Sequence, residues 1–140
     1  MAKATTVSQA TGWLGTINSN FSNLVKFSDW TDAGLSYLNG VSKNDAALKY
    51  RTAEFAGMKM LQFAGWINFP AFPSSGTLEA VAVPTNVIST AFSNNLGGVG
   101  ISGAHIVGVY ITPATGHLTI VNDDKITSGG SMEIDLTIMY

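Results

Sequence analysis

Residues 48–70 read LKYRTAEFAGMKMLQFAGWINFP, and this stretch decides the predicted fold. Leu48 and Tyr50 alternate with charged residues, which is the two-residue period of a half-buried β-strand. Gly57 then supplies a turn, because glycine adopts positive φ at no steric cost. A second strand continues as far as Pro70 and stops there, because proline cannot donate a hydrogen bond to a β-ladder. The stretch therefore predicts a β-hairpin.

The second strand of this hairpin is largely apolar on both faces. One face carries Leu61, Phe63, Ile67 and Phe69, and the other carries Met58, Met60, Gln62, Ala64 and Trp66. A strand of this kind is expected to be covered on both sides. In a chain of 140 residues, the second cover can come from another subunit.

Length and composition indicate one ordinary domain with a short appendage, since the chain has 140 residues. Its residues are 46% hydrophobic and only 11% charged, which argues against disorder. The net charge of −2 offers no basic surface for nucleic acid. The chain has no cysteine, which excludes a disulfide framework and thiolate metal sites.

Neither a membrane span nor a targeting segment is indicated by the sequence. No apolar run approaches the length that crosses a bilayer, so we expect no membrane insertion. Residues 1–6 lack the apolar core of a signal peptide, which predicts synthesis and folding in a cytoplasm.

Residues 7–24 carry the clearest helical pattern. The apolar residues recur at alternating spacings of three and four, as Val7, Ala10, Leu14, Ile17, Phe21 and Leu24. This spacing is the a/d seam of a short coiled coil. Two interpretations remain open: a helix packed on its own sheet, or a neck that bundles with copies of itself. The narrow seam and the polar opposite face favour the neck.

The remaining sequence predicts several short strands separated by turn signals. Strands are predicted over residues 77–83, 104–112, 117–121 and 132–140, a glycine-rich loop over 94–103, and either a strand or irregular structure over 85–92. Such a series indicates an antiparallel β-sandwich or barrel. The predicted fold is mainly β, with an N-terminal helical segment at residues 1–27 and a head domain at residues 28–140.

The glycine-rich stretch contains a motif that is also found in dinucleotide-binding proteins. Residues 98–103, GVGISG, fit the pattern G-x-G-x-x-G, and Asp123 follows about twenty residues later. A dinucleotide site needs a helix to begin at this loop, but the β-branched residues after Gly103 predict a strand. We therefore interpret the motif as loop glycines and predict no cofactor.

Metal and catalytic sites are not indicated either. His105 and His117 could face each other across a hairpin, but a metal site needs further ligands, so we interpret both as strand-end residues. Asp123 and Asp124 lack the ligand spacing of an EF-hand and are interpreted as a solvated turn. No nucleophile triad, paired carboxylates, G-x-S-x-G or H-E-x-x-H pattern occurs, which predicts a protein that is not an enzyme.

Several short motifs occur in an order that resembles a known family. They are Leu38-Asn39-Gly40, Lys49-Tyr50-Arg51, the run MKMLQFAG at 58–65, Val109-Tyr110-Ile111 with the run TGHLTI at 115–120, and Ile134-Asp135-Leu136-Thr137-Ile138. From about Trp30 to Tyr140 they resemble the receptor-binding head domain of tail or baseplate proteins of tailed phages (siphophages) that infect Gram-positive hosts. The chain departs from that family at 83–86, where VPTN replaces leucine-proline-glutamate-glycine.

The resemblance implies an antiparallel sandwich or barrel head that assembles as a homotrimer and binds a host cell-wall saccharide without a cofactor. It also implies a place in the virion, beside other tail or baseplate proteins. A sugar site needs an aromatic surface for the apolar sugar face and short polar groups for the hydroxyls. The candidate residues are Trp66, Asn94, Asn95, His105, His117, Asp123 and Asp124.

Two other classes of protein are compatible with parts of this pattern. A structural virion protein, for capsid decoration or baseplate assembly, would share the low charge, the helix and the β domain without binding a saccharide. A bacterial surface lectin is disfavoured, because the sequence begins without a signal peptide.

Overall fold

The computed structural model describes residues 13–22, 24–55, 57–72, 76–88, 96–102, 105–112, 114–122 and 128–140. These residues form one helix, α1 (Trp13–Ser22), followed by ten strands. The strands are β1 (Lys26–Phe27), β2 (Ser36–Tyr37), β3 (Ser42–Lys43), β4 (Lys49–Phe55), β5 (Met58–Phe69), β6 (Gly76–Ala82), β7 (Leu96–Ser102), β8 (His105–Thr112), β9 (His117–Asn122) and β10 (Gly130–Met139). Residues 1–12 and 23 of the predicted neck lie outside the described part, and the trimeric neck stays a prediction.

The strands join in one antiparallel sheet with the order β1-β4-β5-β10-β7-β8-β9-β6-β2, and β3 pairs with β5. The arrangement is sandwich-like, because the buried sides of β4, β5 and β10 share one hydrophobic core with those of β6, β8 and β9. The prediction of a mainly β, antiparallel fold is confirmed.

The predicted hairpin is the centre of the sheet. β4 and β5 pair from Lys49 opposite Ala64 to Phe55 opposite Met58. Gly57 lies in the connection and has a φ of 85°, which is the left-handed conformation expected from the sequence. Along its other edge, β5 pairs with the whole of β10. On the inward face of β5, Leu61, Phe63, Ile67 and Phe69 are buried, whereas its second face is only partly covered in the protomer.

The edge of β5 next to β4 changes partner at Gly65. β3 pairs with β5 at Ile67 and Asn68, and β4 pairs with it up to Ala64. Between these pairings residues 44–48 form a bulge on the same edge of β5, and the N–H of Trp66 donates to the carbonyl of Ala46 at 2.8 Å. Gly65 has a φ of 126°, and a Cβ there would lie 2.5 Å from the carbonyl oxygen of Ala47. Only glycine fits this close approach of the two backbones.

β10 follows the alternation that the sequence predicts. Its buried residues are Met132, Ile134, Leu136 and Ile138, and its exposed residues include Glu133, Asp135, Thr137 and Met139. The strand is long and central, because β5 and β7 pair with its two edges. A clear two-residue period runs through the strand, because one of its faces packs on the core and the other is exposed.

The predicted glycine-rich loop at residues 94–103 is wrong over most of its length. Leu96–Ser102 is strand β7, which pairs with β8 along seven residues and with β10 at Val99, Gly100 and Ile101. Glycine has a low preference for strands, but hydrogen bonding on both edges outweighs it here.

Thr85–Val87 forms a turn after β6, in which the N–H of Val87 donates to the carbonyl of Pro84 at 2.9 Å.

Candidate binding groove

An open groove with a volume of about 570 Å³ lies at one rim of the sandwich. This rim, called the Tyr140 rim below, is where β4 and β10 end and β5 begins. The groove is lined by the segment at residues 26–31, by these strand ends and by the turn after β6. It therefore joins both halves of the sandwich.

Tyr140 forms the junction between the two halves. Its N–H donates to the carbonyl of Lys59 at 2.9 Å, and its carbonyl accepts from the N–H of Lys59 at 2.7 Å. Its phenol hydroxyl donates a hydrogen bond to the carbonyl of Val87, in the turn after β6, at 2.8 Å. Burial raises the pKa of the Tyr140 phenol above its ordinary value of 10.0. The half-buried ring is thus held in a fixed position beside the groove.

The opposite wall is the segment at residues 26–31, which lies along the free edge of β4. Ser28 donates its N–H to the carbonyl of Thr52 at 2.8 Å, and its Oγ accepts from the N–H of Thr52 at 2.9 Å. Thr31 and Tyr50 exchange two further backbone hydrogen bonds, at 2.8 and 2.9 Å. The ring of Tyr50 is buried and packs on Phe63, so this tyrosine supports the wall and offers no open aromatic surface.

The polar groups of the groove balance in charge. Two ammonium groups, on Lys26 and Lys59, and two carboxylates, on Asp29 and Glu54, line it, and all four residues are exposed. The exposed amide of Asn86 adds both a donor and an acceptor. Such a set can hydrogen-bond a neutral, hydroxyl-rich ligand, whereas it provides no net field to attract a phosphate or another anion.

Among the residues that the sequence predicts for a sugar site, only Trp66 and His117 have described side chains. Trp66 is half-buried on the face of β5 that points away from the core, opposite Glu133 of β10. Asn94, Asn95, Asp123 and Asp124 lie outside the described residues. Leu96, which follows Asn95 in the chain, begins β7 and pairs with Ile111 near the end of β8. This end of β8 lies at the Tyr140 rim, because Thr112 pairs with His117, which pairs with Ala82 at the end of β6.

The two histidines are each the first residue of a strand, which agrees with their interpretation as strand-end residues, and they do not face each other. His105 begins β8, opposite Ser102 of β7. His117 begins β9, opposite Thr112 at the far end of β8. A strand rises about 3.3 Å per residue, so roughly 23 Å separate the two positions along the sheet.

His117 takes part in a local contact rather than in the groove. Its Nδ1 lies 3.1 Å from Oε2 of Glu79, without the geometry of a hydrogen bond, so the contact is electrostatic when the imidazole is protonated. Thr115 Oγ1 donates to the other carboxylate oxygen of Glu79 at 3.3 Å. These contacts tie the turn before β9 to β6. Among the described residues, no three His, Asp or Glu side chains are placed to hold a metal ion.

Comparison with family models, curated proteins and solved structures found no match for this chain. Within the described ranges, no helix has the length and apolar character needed to cross a membrane.

Sequence reasoning missed the residues that line the groove. Asp29, Lys59 and Asn86 belong to three separate parts of the chain, and only the folded sheet brings them together. Tyr140 carried one usable signal, because the alternation of β10 places it on the inward face with Met132 and Ile138.

Proposed function

We propose that this chain is a receptor-binding head of a phage tail or baseplate, and that it recognises a host cell-surface saccharide in the groove at the Tyr140 rim. The observation that supports this proposal most is the groove itself, which is open, balanced in charge and bordered by the fixed ring of Tyr140. The sandwich-like antiparallel fold agrees with the family that the sequence resembles. The residues that the sequence suggested for a sugar site stay a separate prediction, which the variants below test.

A saccharide presents an apolar ring face and a set of hydroxyl groups. The half-buried ring of Tyr140 provides aromatic surface for the first. The carboxylates of Asp29 and Glu54 accept hydrogen bonds from hydroxyls, and Lys26, Lys59 and Asn86 donate them. Binding in this proposal needs neither catalysis nor a metal ion, so a chelator should leave it unchanged.

A single open groove of this kind binds a sugar weakly, so attachment depends on several copies acting together. The homotrimer predicted from residues 7–24 would present three grooves, and a tail that carries several such assemblies would present more. Linked sites raise the overall affinity through effective concentration, without any new contact.

The test is the decoration of candidate host cells by fluorescently labelled protein. Asp29→Ala and the double variant Asp29→Ala/Asn86→Ala remove exposed hydrogen-bonding groups from the groove and should reduce binding by tenfold or more. Asp45→Ala is the matched control, because Asp45 is also exposed but lies in the turn before β4, away from the groove. Asp123→Ala/Asp124→Ala tests the site expected from the sequence.

Loss of binding in the groove variants alone supports the groove. Loss in the Asp123/Asp124 variant alone moves the site to that turn and rejects the groove. No decoration of any host by the wild-type protein rejects the adhesin proposal altogether.

The second candidate function is a structural virion protein, and a separate observation favours it. Large apolar side chains remain exposed in the protomer, with Phe27 39%, Met58 45% and Met139 54% accessible. Exposed apolar surface of this kind typically marks a contact with another protein. Soluble protein added before infection discriminates the two functions, because it blocks phage attachment only if the chain is the adhesin.

A further inference from the structure

The first half of the sheet has a face that points away from the core, called the outer face below. On β10 it carries the exposed residues that alternate with the core, and on β4 and β5 it carries the residues paired with them. The registered rows are Asp135–Ala64–Lys49, Thr137–Gln62–Arg51 and Met139–Met60–Ala53. The face therefore spans at least three neighbouring strands in register.

One end of the outer face is apolar. Phe27 lies opposite Ala53, and Phe55 lies opposite Met58. Phe55 is 38% accessible, and Met139 at the end of β10 is 54% accessible. This end of the face lies toward the Tyr140 rim.

The other end of the outer face carries charge, and the charge is divided between its two sides. Glu133 and Asp135 form an acidic column on β10, whereas Lys49 and Arg51 form a basic column on β4. β5 separates the columns, and Ala64 is the small residue between Asp135 and Lys49. Neighbouring strands are about 4.8 Å apart, so the two columns are separated by roughly 10 Å.

The centre of the face is held in place by side-chain contacts. Arg51 Nε donates to Gln62 Oε1 at 2.7 Å, and Gln62 Nε2 donates to Thr137 Oγ1 at 3.1 Å. The Arg51 guanidinium also stacks on the rings of Phe27 and Trp30, at 4.1 and 4.5 Å from their centroids. Ordered side chains lose little entropy on association, which favours binding.

We propose that a second copy of this chain covers the outer face, related by a two-fold axis that runs along β5. Such a rotation lays β10 of one copy over β4 of the other and keeps every row at the same height. Asp135 then meets the partner's Lys49, and the apolar end meets the apolar end. The face is thus complementary to itself in both charge and hydrophobicity, as an isologous interface requires.

The size of the face agrees with this occupant. Strands β4, β5 and β10 have 7, 12 and 10 residues, and their outer face has an area of roughly 460 Å², from the usual strand spacing and rise. Stable interfaces bury about 800 Å² on each partner, so the face supplies most of a dimer contact.

The contact pairs copies of the chain, and a trimeric neck would join such pairs into hexamers. The charged columns that the test changes lie away from the groove, whereas the apolar end of the face borders the groove at Ala53 and Met60.

The test measures the mass of the full-length chain by light scattering, and the wild type should form an even-numbered assembly of the 14.7 kDa chain. Asp135→Lys and Lys49→Asp each place like charges opposite each other, so each should weaken self-association at least tenfold and halve the observed mass. The double variant Asp135→Lys/Lys49→Asp restores opposite charges and should restore the mass.

Asp29→Lys makes the same change of charge in the groove and should leave the mass unchanged. Circular dichroism of each variant checks that the sheet is intact. Both variants should fold, because Asp135 and Lys49 are exposed and exposed substitutions usually change stability little. A monomeric or odd-numbered wild type overturns the proposal. So does an assembly whose mass is the same in the wild type and in both single variants.

Discussion

Gly65 is the residue on which the central hairpin depends most directly. Three features coincide there: a φ of 126°, a bulged segment whose Ala47 carbonyl oxygen would lie 2.5 Å from a Cβ, and the change of partner along β5. A glycine inside a strand usually weakens it, but here the absence of a side chain is what allows the two backbones to approach.

Gly65→Ala should therefore lower the free energy of unfolding by about 3 kcal/mol, because the new methyl group meets backbone that cannot move aside. Gly76→Ala is the control, since Gly76 is also in a strand but has no atom within 4 Å of the Cβ position. Urea unfolding measures both variants. Equal stability of the two variants would contradict the close approach of the Ala47 backbone at Gly65.

At the scale of elements, the sequence predicted the strands that carry a two-residue period or a long apolar run between turn signals. β4 and β10 were placed within a residue or two by their alternation, and β5 by its apolar run between Gly57 and Pro70. β7 was missed, because its glycines provide no period to read and its stability comes from pairing with β8 and β10. The groove was missed for a related reason, since its residues come together only through the sheet order.

Tyr140 links the end of β10 with the turn after β6, and this link should depend on pH. Burial raises the pKa of its phenol, so the folded state binds that proton more tightly than the unfolded state does. The stabilisation is fully present below the ordinary pKa of 10.0 and is lost as the pH rises through the higher folded value. Burial shifts the pKa of Tyr37 in the same direction.

The unfolding midpoint in urea should therefore fall as the pH rises above about 10. Tyr140→Phe should lose about 1 kcal/mol at neutral pH, with the hydrogen bond to Val87, and should show a smaller alkaline fall than the wild type. Tyr110→Phe serves as the comparison variant, since Tyr110 belongs to a different strand. An alkaline fall of the same size in Tyr140→Phe and the wild type would contradict the role of Tyr140.

At the scale of the whole molecule, the sandwich presents two surfaces that meet at Ala53 and Met60. The groove at the Tyr140 rim is polar and balanced in charge, whereas the outer face combines an apolar end with two opposed columns of charge. In this account the groove binds saccharide and the outer face binds a second copy. A low overall charge of −2 is consistent with a protein that buries part of its surface in an assembly.

The groove as a saccharide site is the central claim, and nuclear magnetic resonance of the ¹⁵N-labelled protein tests it most directly. Soluble fragments of host cell-wall polysaccharide are titrated into the protein while the amide shifts are followed. The account predicts concentration-dependent shifts at Asp29, Lys59, Asn86 and Tyr140, and none at Asp45 in the turn before β4. Shifts confined to residues outside the groove, or no shifts with fragments that the intact protein binds on cells, would contradict it.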